Sequence, residues 1–135
     1  MLLRAFAKIN RDLRIAGRRS DGYHEVATVL QTIDWFDEIR IEQSETFELI
    51  GAGSPADETN RVVRAVRGFE RLTGVKVNLG IQLTKNIPIG AGLGGGSADG
   101  AVTFLGLQRW FEQEFPAPEA FQLLRRLGSD VPFFV

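Results

Sequence analysis

Val77-Asn78-Leu79-Gly80-Ile81-Gln82-Leu83-Thr84 runs through Lys85-Asn86-Ile87-Pro88-Ile89 into Gly90-Ala91-Gly92-Leu93-Gly94-Gly95-Gly96-Ser97-Ala98-Asp99. Val77, Leu79, Ile81 and Leu83 alternate with polar or small residues, the period of a strand with one wet face. Beyond the glycines, Val102, Phe104, Leu105, Leu107, Trp110 and Phe111 predict an apolar helix. The order is therefore strand, glycine loop, helix. From Gly90 to Gly96 five of seven residues are glycine. Only glycine lets backbone N–H groups turn inward at positive φ with no Cβ blocking a ligand. A helix beginning straight after the loop adds unpaired N–H groups and a positive dipole end, so the segment reads as a phosphate nest. Ser97 is placed to cap that helix or to contact a phosphate or its metal. A tightly packed turn is the bland alternative.

Gly90-Ala91-Gly92-Leu93-Gly94-Gly95 also fits the G-x-G-x-x-G pattern of dinucleotide-binding folds. Such a unit needs a buried parallel strand before the loop and another strand after the helix. Here the preceding strand alternates with polar residues and a second helix follows, which argues against it. The Walker pattern is absent, because no lysine follows the glycines. Lys85 precedes them instead.

Outward from this centre, Leu3, Ala5, Ala7 and Ile9 predict an N-terminal strand with Lys8 facing away from Ala7 and Ile9. Gly17-Arg18-Arg19-Ser20-Asp21-Gly22 reads as a loop leading into Tyr23-His24-Glu25. Two strands follow, Val26 to Ile33 and Phe36 to Glu42, the second with Ile39 and Ile41 alternating against charged residues. Val62, Val63, Val66, Phe69 and Leu72 predict a helix from about Glu58 to Thr73, closed by Gly74. Arg61, Arg64, Arg67 and Arg71 read as its solvated face, a basic patch being the alternative. Pro118 and Gly128 bracket a short helix with Phe121, Leu124 and Leu127 inward. Val131, Phe133, Phe134 and Val135 read as a strand entering a core, which predicts a truncated chain.

The 135 residues suit one domain, and 44% hydrophobic with 24% charged residues excludes disorder and a membrane span. A net charge of −1 gives no footprint for nucleic acid or an anionic membrane, so an anion must be bound locally. The absence of cysteine removes disulfides, thiol nucleophiles and thiolate metal sites. With no signal-peptide pattern, it points to the cytosol. One histidine, His24, excludes a multi-histidine metal centre.

The segment from Ile87 to Ala98 resembles the phosphate-binding motif of the GHMP kinase superfamily, with Pro88, a Gly-Leu-Gly core and Ser-Ala. Ala5-Phe6-Ala7-Lys8-Ile9-Asn10, Gly17 to Glu25, and Gly128-Ser129-Asp130-Val131-Pro132 narrow the resemblance to the members acting on 4-diphosphocytidyl-2-C-methyl-D-erythritol. It runs from residue 5 to residue 135. The resemblance implies an α+β fold, a mostly antiparallel sheet with packed helices related to the second domain of ribosomal protein S5. It implies an ATP-dependent kinase of the non-mevalonate isoprenoid pathway, using Mg²⁺ and phosphorylating a substrate hydroxyl. Lys8 and Asp130 match the catalytic pair. Asn10, Tyr23 and His24 match substrate contacts, the last two at the cytidine end. Asn60 matches a residue near the adenine, with a helix cap as its plain reading, and Lys85 matches the nucleotide rim. Pro88, Gly90, Gly92, Leu93, Gly94, Gly95, Gly96 and Ser97 match the phosphate loop. Another small-molecule GHMP kinase and a non-catalytic nucleotide-binding fragment are the competing readings.

Arg11 and Asp12 stand where the family more often has apolar residues, Ala91 replaces a common glycine, and Asp99 puts a carboxylate near bound phosphates. Such an acid must face away or help to hold Mg²⁺. The family also carries a C-terminal domain that closes the substrate cleft. Residues 1–135 are therefore expected to be an N-terminal part with exposed apolar surface, self-association or marginal stability, and weak or absent turnover.

Overall fold

Leu2–Arg18 (β1) and His24–Gln43 (β2) form a long antiparallel ribbon. The computed structural model describes residues 1–18, 24–51 and 56–135, with positions 13, 15, 16, 18 and 24–26 described in backbone only. Glu48–Ile50 (β3), Arg61–Thr73 (α1), Leu79–Thr84 (β4), Gly95–Trp110 (α2) and Ala117–Leu127 (α3) follow, then a 3₁₀ turn at Val131–Phe134. The sheet order is β1-β2-β4-β3, antiparallel except for the β3–β4 pair. No helix among the described residues is long and apolar enough to cross a membrane.

Register puts Ile39 opposite Leu83 and Ile41 opposite Ile81, so the inward positions of both strands share one buried face. Helices α1 and α2 cover that face with Val62, Val66 and Phe69 from one and Ala98, Ala101, Phe104 and Leu107 from the other. Phe69 meets Phe104 edge-on and stacks on Phe111, with centroids 6.3 and 5.5 Å apart. Small residues set the approach of α2 to the sheet. A Cβ on Gly106 would lie 2.6 Å from Leu3 Cδ1 and 2.8 Å from Ile41 Cδ1.

Several expectations change. The two strands expected over 26–42 are one, because Phe6 pairs with Phe36 and Lys8 with Thr32, so a bulge absorbs Ile33 to Trp35 inside the strand. The same bulge buries Ala7 and Lys8 together and leaves Ile9 exposed, against the expected alternation. The loop expected from Gly17 starts later, since Gly17 and Arg18 pair with Glu25 and His24; positions 19–23 lie outside the described residues. Helix α1 starts at Arg61 rather than Glu58, because Asn60 caps it by accepting from the Val62 N–H at 2.9 Å. Gly74 ends it at φ +72°. Leu72 lies on its exposed side.

Its arginine face is more than solvated, since Arg61 and Arg64 donate to the carbonyls of Leu127 and Arg126 at the end of α3. Phe121 is exposed rather than inward, because the buried stripe of α3 runs Ala120, Leu123, Leu124, Leu127. The expected terminal strand is the 3₁₀ turn, with Pro132 in its first turn, Val131 buried and Val135 exposed.

Candidate active site

Asp37 clamps the base of the glycine loop. Fully buried on β2, it accepts the backbone N–H groups of Asn86 and Ile87 at 2.5 and 2.8 Å and the Lys85 ammonium. The Asn86 side chain donates to Phe36 O at 2.9 Å, so the loop leaves β4 fixed on two sides. Gly90, Gly92 and Gly94 then take φ of +79°, +76° and +72°, alternating with Ala91 and Leu93. Leu93 O accepts the Lys8 N–H at 2.8 Å, which ties the loop tip to β1.

Gly94 is the N-cap of α2 and supplies no side-chain cap, which removes helix capping from the two roles read for Ser97 and leaves contact with a phosphate or its metal. Ser97 is the third helical residue. The unpaired amides of the first turn open on a cleft of about 310 Å³ lined by Pro88 to Ser97, with Asn60, Lys85 and Asp130 around it. Asp99, expected from the sequence to lie near the phosphates, also lines it, as do Thr59, Arg61 and Leu83, which were not read as site residues.

Lys8 sits beside the cleft rather than in its wall. Its Nζ lies 3.4 Å from Asp130 Oδ2 and donates to Asn10 Oδ1 at 2.6 Å. Asn10 in turn donates to Thr28 Oγ1 at 2.9 Å, across the ribbon. Lys8, Asn10 and Asp130 are thus brought together at one end of the glycine loop. Tyr23 lies outside the described residues, and His24 is described only as the first residue of β2. Arg11 and Asp12 are exposed on β1, and Asp12 pairs with Arg14 at 3.0 Å.

Asp99 faces Lys85, not solvent. Its Oδ2 accepts from Lys85 Nζ at 2.8 Å, while Oδ1 is buried without a hydrogen-bond partner. Burial pushes the Asp99 carboxyl up to about 7, against the pull of Lys85 and with Asp37 adding repulsion. Burial alone would lower the Lys85 ammonium, yet Asp99 and Asp37 together hold it above its usual value. Two carboxylates and one ammonium form a buried knot under the nest. No group of three metal-type ligands occurs among the described residues.

The sequence and the fold have counterparts. A chain from Chlorobaculum tepidum named 4-diphosphocytidyl-2-C-methyl-D-erythritol kinase is 40% identical over 98% of this chain and 47% of its own length. A solved 4-(cytidine 5'-diphospho)-2C-methyl-D-erythritol kinase superposes with a TM-score of 0.86 at 38% identity, covering 99% of this chain and 48% of that one. The chain thus spans about half the length of these relatives. Methanococcus jannaschii mevalonate kinase superposes with a TM-score of 0.66 over 94% of this chain and 45% of its own, at 15% identity, and shares the fold alone. The model of the GHMP kinases N terminal domain matches residues 60–135, from the cap of α1 through the nest to the last residue. On that match and this fold, the chain belongs to the GHMP kinases, in the family of their N-terminal domains.

Proposed function

We propose that this chain carries the nucleotide- and acceptor-binding part of an ATP-dependent kinase that phosphorylates the 2-hydroxyl of 4-diphosphocytidyl-2-C-methyl-D-erythritol. The observation that carries the reading is the Lys8–Asp130 pair, 3.4 Å apart at the end of a glycine nest. The relatives named for that reaction, at about 40% identity, support the choice of acceptor.

Phosphoryl transfer needs positioning and charge stabilisation more than covalent help. The nest amides and the first turn of α2 hold phosphate oxygens. Asn60 is assigned to the adenine end of the nucleotide and Lys85 to its rim. Asp130 accepts the proton of the acceptor hydroxyl as its oxygen bonds to the γ-phosphorus, and the bond to the β–γ bridging oxygen breaks to release ADP. Lys8, held by Asn10, stabilises the charge that develops on the transferring group. Mg²⁺ arriving with the nucleotide would supply charge neutralisation, and Ser97 in the cleft wall is the side chain that would meet it. Tyr23 and His24 are assigned to the cytidine end, by stacking and hydrogen bonding.

The test is transfer of labelled γ-phosphate from ATP to diphosphocytidyl-methylerythritol, mevalonate and homoserine. Transfer to the first alone, lost in Lys8→Ala and Asp130→Asn, is expected. Preference for another acceptor overturns the substrate assignment, and ATP binding without transfer to any acceptor leaves a nucleotide-binding module.

A further inference from the structure

Gly94, Gly95 and Gly96 each leave room for a different basic side chain. A Cβ on Gly94 would lie 2.9 Å from Lys8 Cγ, one on Gly95 3.2 Å from Lys85 Nζ, and one on Gly96 3.3 Å from Arg61 Nη1. Successive helical residues point about 100° apart, so three cations ring the first turn of α2. Two of the three are compensated. Lys8 faces Asp130, and Lys85 is held by Asp37 and Asp99. Those groups set three carboxylates against two ammoniums, a poor surround for a polyanion. Arg61 has no carboxylate partner among the described residues.

Arg61 is also held in place. Its Nε donates to Leu127 O at 3.3 Å. Glycines make its slot: a Cβ on Gly100 would lie 3.0 Å from Arg61 Cβ, and one on Gly128 3.1 Å from its Nε. Arg61 lines the cleft, and its guanidinium makes no other hydrogen bond among the described residues. As the first residue of α1, Arg61 opposes the helix macrodipole, and no acid in that turn offsets it. Helix stability alone therefore does not account for an arginine here.

We infer that Arg61 is a further phosphate-binding residue, giving the polyphosphate of the nucleotide a positive charge that is in no ion pair among the described residues. The inference rests on the phosphate-site reading above. A guanidinium offers a planar fork of donors matched to phosphate oxygens, whereas a lysine would offer only a point charge.

Calorimetric titration of the full chain with ATP, inorganic tripolyphosphate and adenosine, at low and high salt, tests it. Arg61→Gln keeps a donor toward Leu127 O but loses the charge. It is expected to weaken ATP and tripolyphosphate about tenfold, to flatten their salt dependence, and to leave adenosine binding and Tm unchanged. Arg61→Lys is expected to recover part of the loss. Equal ATP affinity in Arg61→Gln and the unsubstituted chain overturns the inference. So does equal loss of ATP and adenosine with a lowered Tm, which would make Arg61 only an anchor for α3. If the unsubstituted chain binds neither ATP nor tripolyphosphate, the phosphate site falls and Arg61 with it.

Discussion

Replacing Asp99 by Asn removes one carboxylate from the knot beneath the nest while keeping its shape. The folded chain holds a proton on Asp99 up to about pH 7, whereas the unfolded chain releases it at the usual value of 3.8. The folded state thus binds the extra proton, so stability is greatest below 3.8, falls as pH rises, and stops falling above 7. Each pH unit in that window costs about 1.4 kcal/mol. From about pH 5.5 to about pH 8.5 the fall ends near 7, so the loss assigned to Asp99 is on the order of 2 kcal/mol. Urea denaturation of both chains at the two pH values measures it. Asp99→Asn should already exceed the parent by on the order of 2 kcal/mol at the lower pH, and its advantage should grow by on the order of 2 kcal/mol more at the higher one. The comparison cancels other groups titrating in the range. A parent chain as stable as or more stable than Asp99→Asn at the higher pH would refute the reasoning, because the Lys85–Asp99 pair would then outweigh its burial.

Two further outcomes follow from local geometry. Gly94→Ala combines a positive φ with overlap on Lys8 Cγ and Phe134 Cζ; thermal and urea melts should show a loss of about 1–3 kcal/mol, with ATP binding lost by titration. Asn60→Ala removes the cap on the Val62 N–H; about 1 kcal/mol of stability should go, read by urea denaturation. A neutral result would mean that water replaces the cap.

The strand-loop-helix order around Gly90 to Gly96 was legible because each part has a period or composition of its own. Ile39 and Ile41 sat inward as their alternation required. The same parity puts Asp37 on the buried face, and a carboxylate there must find donors, so the clamp on Asn86 and Ile87 was readable and went unread. Asp99 was noticed as an oddity, but its partner Lys85 is fourteen positions away and only the turn of the loop joins them. The bulge opposite Ala7 left no mark in local composition, since it arises from pairing two strands of unequal length. Phe121 was misplaced by taking the neighbouring row of α3 for its buried stripe. At the end of the chain, Pro132 set a 3₁₀ turn where apolar content suggested a strand. Arg61 and Gly96 are thirty-five positions apart in sequence, and their meeting is tertiary.

The proposed function stands on the amides between Gly92 and Ser97 holding nucleotide phosphates. Titrating ¹⁵N-labelled chain with ATP and following amide shifts tests it most directly. Saturable shifts centred on Gly92 to Ser97, reproduced by tripolyphosphate and reduced with adenosine, are expected. Saturable ATP binding whose shifts lie elsewhere, with these amides unmoved, would contradict it.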